Sequence, residues 1–363
     1  MKFRYQALAW AGLGGLASFA GAQSTINLAG VVDMSLRYSS NSAGSVQSVA
    51  SGGNSTSRLI FSGTEDLGGG LSAGFWLEAT MQADTGSTSA GNQLFDRRST
   101  VSLANRYGEV RLGRDWTPVF WGAVTADPFV ATGIGSTATF LNPGVNTVFR
   151  RAFGANPSTL SRASNAVEYW LPADLGGVYG QAMSAFSEKT GTQSFNAQGS
   201  YRYDAFRLGY RAQGFDVAAF GGRTRIDATQ AGVGQQGVSG AYTFGNGARV
   251  SAAAVNSSYL SSKQTHSLLA FTLPIQQAVI KLAYNHLNQK GNDGAGRSID
   301  ADDASSLSLG AEYYLSKRTL IYATVAHVTN KGAAAFTVPG GPTAGVTPGT
   351  SSRGYELGLR TSF

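Results

Sequence analysis

Residues Ser57–Ala79 read SRLIFSGTEDLGGGLSAGFWLEA, and their alternation decides the fold. Before the Gly68–Gly70 break, Leu59 and Phe61 are apolar and Arg58 stands on the opposite parity. After it, Leu71, Ala73, Phe75 and Leu77 alternate with Ser72, Gly74, Trp76 and Glu78. A period of two around a glycine-rich break marks two antiparallel strands, each with one apolar and one polar face. Arg58 belongs to the polar face, and the question it raises is what that face meets.

The same pattern runs through the chain. Ile26, Leu28, Val32, Met34 and Leu36 oppose Asn27, Asp33, Ser35 and Arg37. Leu307, Leu309 and Ala311 oppose Ser308, Gly310 and Glu312, and Tyr355, Leu357, Leu359 and Phe363 oppose Glu356 and Arg360. About sixteen such segments can be counted, with Phe206–Ala212 and Phe215–Arg225 the least regular, and none of comparable length has a helical period. Their connections alternate in length. Short links fall at Leu67–Gly70, Asn105–Tyr107, Pro172–Gly176, Gln213–Gly214, Gly245–Gly247, Pro274–Gln277 and Ser316–Arg318. Long ones fall at Ser39–Ser55, Ala83–Phe95, Asp115–Ser161, Ser187–Ser200, Ile226–Gln235, Asn288–Ala304 and Asn330–Ser352. Short turns at one end, long loops at the other and both termini at the short end describe an up-and-down barrel of the bacterial outer-membrane type. A β-helix would show a fixed short repeat, and none is visible. Trp, Tyr and Phe often stand near segment ends, as in an interfacial girdle.

Composition agrees. The 363 residues are only 13% charged and carry +7, yet mean hydropathy is −0.09, because Ser, Thr, Asn, Gln and 48 glycines supply the polarity. There is no cysteine, which excludes a disulfide framework and thiolate metal sites. At the N-terminus, Lys2 and Arg4 precede an apolar Ala7–Phe19 stretch and Ala20-Gly21-Ala22. This is the layout of a secretory signal peptide cut before Gln23; a transmembrane anchor needs about 18 or more apolar residues. Residues 1–22 are thus read as a signal peptide and 23–363 as the barrel, with +5 once Lys2 and Arg4 are removed from +7. The three histidines, His266, His286 and His327, all fall within strand patterns, and none sits beside a nucleophile-elbow or zinc-protease motif. His286 shares a face with Ile280, Leu282 and Tyr284, which places it near a membrane interface. Neither an enzyme nor a cofactor or metal site is read from the chain. Scattered basic residues without a contiguous patch do not support nucleic-acid binding.

At this point the residues resemble a family. Ser57–Ala79, the QSTINLAGVVD stretch from Gln23, LFDRRSTVSLANRYGEVRLGRDWTP from Leu94, Asp127-Pro128-Phe129, SNAVEYWLPADLGG from Ser164 and the terminal LGLRTSF are similar to blocks of the Gram-negative general porins. The match is to the arginine-rich, anion-leaning group of beta-proteobacteria and runs from Gln23 to Phe363. Ala29, Ser62 and Thr361 depart from the residues usual in the family (Tyr, Arg and His), and the third loop is unusually long. The resemblance implies an all-β fold, a transmembrane antiparallel 16-stranded β-barrel with an inward-folded third loop, assembled as a homotrimer in the cell outer membrane. It also implies contact with outer-membrane lipid and lipopolysaccharide, and recognition of the terminal Phe363 by the barrel-assembly machinery. Residues 115–161 would be the constriction loop. The function implied is a water-filled diffusion channel for small hydrophilic solutes. The rival reading is a substrate-specific channel for a carboxylate, phosphate or similar small anion.

By motif match the constriction arginines are Arg58, Arg97 and Arg162. Strict alternation instead gives Arg97 the parity of Val101 and Leu103, so Arg98 stands as the alternate. Arg150 and Arg151, on the loop's return path, could join the cluster. Asp127 is the only carboxylate between Asp115 and Glu168 and is read either as a pore charge or as a cap for the turn at Pro128. Several arginines against one aspartate predict a positive eyelet, in which planar guanidinium groups suit small anions. Trp76 and Glu78 are expected to matter less.

Overall fold

The computed structural model describes residues 25–88, 93–142, 144–154, 158–187, 201–226 and 231–363. The predicted signal peptide and the long link beyond Ser187 lie outside them. Eighteen strand segments are present among the described residues. The first seven are β1 (Thr25–Asn41), β2 (Gly44–Ser51), β3 (Arg58–Gly68), β4 (Leu71–Gln82), β5 (Ser87–Thr88), β6 (Arg98–Asn105) and β7 (Gly108–Trp116). After a long excursion come β8 (Arg162–Trp170), β9 (Val178–Ala185), β10 (Arg202–Ala212), β11 (Phe215–Arg225), β12 (Gly232–Thr243) and β13 (Arg249–Tyr259). The last are β14 (Ser262–Ile275), β15 (Ala278–Gly291), β16 (Ala304–Tyr314), β17 (Thr319–Asn330) and β18 (Ser352–Ser362).

These segments make sixteen staves. β2 and β3 lie end to end along β1, pairing Asn41↔Gly44 to Met34↔Ser51 and then Val31↔Arg58 to Thr25↔Thr64. β5 is a two-residue pairing on the end of β4. Every other neighbour is antiparallel, and β1 meets β18 from Val31↔Ser362 to Ser40↔Arg353, which closes the barrel as the sequence predicts. Closure leaves no sheet edge, the condition for strands to cross lipid. Gly30 and Phe363 exchange two backbone hydrogen bonds of 3.1 Å at the seam. A Cβ on Gly30 would lie 2.4 Å from the Phe363 ring, so only glycine lets that ring cross the seam.

The barrel is apolar on the outside. Leu269, Val325 and Leu357 are exposed, whereas their strand neighbours Leu268, Ala326 and Glu356 are buried toward the interior. His286 is half-buried on the outward face beside Tyr284, as alternation requires. The packed core sits inside the barrel, between the inner wall and the connection from β7 to β8. Among its described residues that connection carries three short helices, α1 (Pro118–Val124), α2 (Ala138–Leu141) and α3 (Thr147–Phe153). Val119 of α1 packs with Phe220 and Val255 of the wall, and Phe140 packs with Leu287, Val328 and Phe336. Val148, Phe149 and Phe153 pack with Tyr201, Val233 and Tyr259. Thr117 caps α1 by accepting from the Phe120 N–H at 3.4 Å, with Pro118 in the first turn. Asn146 caps α3, accepting from the Phe149 N–H at 3.1 Å.

One reading is corrected. The link read as Ser39–Ser55 is mostly strand, since β1 runs on to Asn41 and returns as β2. The polar, glycine-containing run there looks like a loop, but extended pairing beyond the apolar band needs no apolar face. The true interruption is 52–57.

Candidate pore constriction

The wall formed by β3, β4, β6, β7 and β8 faces the helical connection across a cavity of about 960 Å³. Arg58, Arg97, Arg98, Arg111, Arg162, Lys281 and Arg360 line it, with only Glu78, Asp115 and Glu312 as carboxylates among the described residues. Arg58 heads β3 on the inward parity and pairs across the sheet with Thr80 of β4. Its Nε lies 3.5 Å from Glu78. Arg97 precedes β6 in a bend, outside the strand, so alternation does not govern it. Its Nε meets Glu78 at 2.5 Å. Arg98 opens β6 with the inward parity of Thr100 and sits 3.2 Å from Asp115. Both arginines therefore reach the cavity, and the choice between them dissolves.

Arg162 opens β8. Its Nε donates to the Arg97 carbonyl at 2.9 Å and its guanidinium lies 3.6 Å from the Trp116 ring centroid. Among the described residues no carboxylate lies within ion-pair distance of it, and its Nη2 has no hydrogen-bond partner. Trp76 carries Arg98 over its ring at 5.0 Å and donates from Nε1 to Glu78 at 3.1 Å. The aromatic faces thus hold guanidinium planes in place. Glu78, on the polar face of β4, is the shared counter-ion of Arg58 and Arg97.

A second inward element went unread. Residues 52–57 turn into the lumen, fixed by the buried Asp33, whose Oδ2 accepts from the Asn54 and Ser55 N–H groups at 2.7 and 2.5 Å. Asn54 then accepts from Arg360 at 2.7 Å and donates to Glu312 at 2.5 Å. Lys281 also pairs with Glu312. Arg111, Lys281 and Arg360 were legible as polar-face residues, because each alternates with leucine, isoleucine or valine on both sides or one. Parity shows which side a residue faces but not its height along the pore.

Three sequence candidates are not brought to the cavity. Asp127 is 4% exposed, inside the connection. It accepts from the N–H groups of Phe129, Ala131 and Thr137 at 2.9, 3.0 and 3.0 Å, and from the Thr137 hydroxyl at 2.9 Å. Burial pushes its carboxyl above the usual range against those four donors. It is the capping alternative that the geometry matches. Arg151 reaches the rim instead, donating to Ser261, Ser262 and the Asn292 carbonyl at 2.8, 3.0 and 3.1 Å. Arg150, in the last turn of α3, is exposed and does not line the cavity.

Comparison with known proteins gives a consistent picture. The profile of the Gram-negative porins matches residues 7–333. Outer membrane porin protein 32 of Delftia acidovorans is 33% identical over 94% of this chain and 95% of its own. The solved anion-selective porin from Comamonas acidovorans superposes with a TM-score of 0.81 at 31% identity, covering 94% of this chain and all of its own (100%). The trimer form of OmpT of Vibrio cholerae shares the fold at 16% identity, with a TM-score of 0.67 over 94% of this chain and 99% of its own. With a closed sixteen-stave barrel, an inward helical connection and relatives matched end to end, the chain belongs to the Gram-negative porin family of the outer membrane.

Proposed function

We propose that the chain forms a homotrimeric, water-filled channel whose 115–161 connection constricts the pore and whose wall arginines favour small anions. The observation that carries this is the excess of seven cationic side chains over three carboxylates among the described residues around one cavity, with Arg162 outside any ion pair among them. The relatives named above include one described as anion-selective, and the OmpT neighbour is a trimer form. Positive potential in a narrow low-dielectric mouth raises the local concentration of anions, and water beside the permeating ion keeps binding weak enough for release. Lipid and lipopolysaccharide would surround the outward leucines, and the terminal Phe363 would be the signal for the assembly machinery.

The test is the zero-current potential of the purified protein in a planar bilayer under a potassium chloride gradient. The Arg58→Ser, Arg97→Ser, Arg162→Ser triple variant should bring the channel close to non-selective while its barrel stays folded. In the wild type the preference should shrink as salt rises, because the screening length falls from about 10 Å at 0.1 M to about 3 Å at 1 M. Full anion preference in the triple variant at low salt would remove the arginine cluster as the filter.

A further inference from the structure

Four tryptophans follow the predicted signal peptide, Trp76, Trp116, Trp121 and Trp170. In a membrane barrel this residue usually stands at the lipid–water interfaces. Here all four face the lumen. Trp76, Trp116 and Trp121 line the constriction cavity, and Trp170 shares the inward parity of the buried Glu168, with Tyr169 turned outward. Each of the four holds at least one guanidinium within 6.0 Å of its ring centroid.

The contacts join into one track. Arg98 lies over Trp76 at 5.0 Å and shares Asp115 with Arg111, which lies over Trp170 at 4.3 Å. Arg207 stands 6.0 Å from Trp170 and 5.8 Å from Trp121, whose ring is 6.1 Å from that of Trp116 under Arg162. Tyr179 carries the track toward the short links, between Arg207 at 5.1 Å and Arg211 at 5.2 Å. Gly209 makes room for that ring, since a Cβ there would lie 2.2 Å from it.

Two of the guanidinium groups have donors to spare. Arg98 uses its Nε alone, on Thr100 at 3.0 Å and Asp115 at 3.2 Å. Arg207 has no ion pair among the described residues, and its Nε has no hydrogen-bond partner. A hydrated inorganic anion needs the charge but gains nothing from the rings. A sugar would stack on open indole faces, and these faces already carry guanidinium groups. A planar aryl carboxylate suits both features. It sets paired oxygens on a free guanidinium edge and a flat ring against the next aromatic or guanidinium plane.

We infer that this track makes the pore a preferential path for aromatic carboxylates, held at Arg98 beside Trp76 and again at Arg207 between Trp121 and Trp170. The inference rests on the proposal that the pore conducts anions, and adds the class of anion that it favours.

The purified full-length protein is placed in a planar bilayer in potassium chloride at neutral pH, and the chloride current is titrated separately with benzoate, cyclohexanecarboxylate and glucuronate. The first two match in charge and nearly in size, and of them only benzoate is planar and aromatic. Benzoate should halve the current at a concentration about two- to tenfold below that of cyclohexanecarboxylate, the factor that one stacked ring supplies. Trp76→Leu and Trp170→Leu should each narrow that gap, and the double variant should close it. Tyr107→Leu removes the exposed ring under Arg106, in a short turn outside the lumen, and should leave the gap as it is. Equal half-blocking concentrations for benzoate and cyclohexanecarboxylate in the wild type overturn the inference, whether or not the variants fold. So does block by glucuronate at the benzoate concentration, or a gap that persists in the double variant. The zero-current potential of the same bilayers separates the two proposals. If it shows anion preference while the two acids block equally, the aromatic track fails and the anion channel stands; if it shows cation preference, both fall.

Discussion

Arg162 is the side chain whose removal should be felt most. Arg58 and Arg97 share Glu78, and Arg98 shares Asp115 with Arg111, so part of each charge is compensated locally. Among the described residues, Arg162 has the Arg97 carbonyl and the Trp116 ring and no carboxylate partner. A unit charge about 5 Å from an ion in water attracts an anion and repels a cation by about 0.8 kcal/mol each, which together is roughly fifteenfold in the anion-to-cation permeability ratio. Arg162→Ser should therefore lower the anion-to-cation ratio by about that factor at low salt, and Arg58→Ser by less. Glu78→Gln should move the ratio the other way, toward anions, by freeing two guanidinium groups. Zero-current potentials of the three variants under one salt gradient check the order. Of these residues, Arg58 was legible from alternation alone, since Leu59 and Phe61 had to face lipid. Arg97 was legible only from the motif, because a bend before β6 takes it out of the strand whose parity would have turned it outward. Glu78 was visible on the polar face, but its role depends on the cross-strand neighbour that brings two arginines to one carboxylate.

The connection from β7 to β8 holds its shape through buried contacts that composition only hints at. Val119, Phe140, Phe149 and Phe153 pack against the inner wall. The helices themselves were not legible. α1 and α3 span seven residues each and α2 four, too short for a helical period to stand out, and they are apolar on more than one side because they meet both wall and loop. Asp127 fixes the turn between α1 and α2 through four donors. Asp127→Asn leaves some of those N–H groups facing an amide nitrogen, at a cost of about 1–3 kcal/mol per buried unsatisfied group. The connection should then loosen while the barrel persists, seen as greater open-channel current noise with an unchanged barrel circular dichroism spectrum. Gly122 offers a second handle, because a Cβ there would lie 2.0 Å from the Phe220 ring. Gly122→Val should push α1 off the wall into the lumen and lower single-channel conductance; an unchanged conductance would place α1 away from the conducting path. The inward turn at 52–57 was hidden for a different reason. It depends on Asp33, a residue on another stave, and no local signal in Gly52–Ser57 announces that long-range acceptor.

The barrel as a whole was legible because lipid imposes a uniform rule. Every stave must alternate, every short turn must return the chain, and the first stave must find the last. None of this depends on detailed packing, which is why a period of two and the rhythm of link lengths were enough to place the seam between the first and last segments. The seam is also where the fold is most open to test. Phe363 contributes there in two separable ways: two backbone hydrogen bonds to Gly30, and a ring laid across that glycine. The ring is 49% exposed, so it gains roughly half of the burial energy of a full phenylalanine, about 1 kcal/mol. Phe363→Ala keeps both hydrogen bonds and should lower the temperature at which the folded band disappears in detergent gels by a few degrees or less, the size of shift that about 1 kcal/mol gives in a large domain. Deleting Phe363 removes the hydrogen bonds as well and leaves the Gly30 N–H and carbonyl unpaired at the seam, so its effect should be clearly larger. Gly30→Val should resemble the deletion rather than Phe363→Ala, because its side chain displaces the ring and also meets the Arg58 carbonyl, 2.9 Å from the Cβ position. If all three variants unfold at the wild-type temperature, the terminal residue does not help to close the barrel.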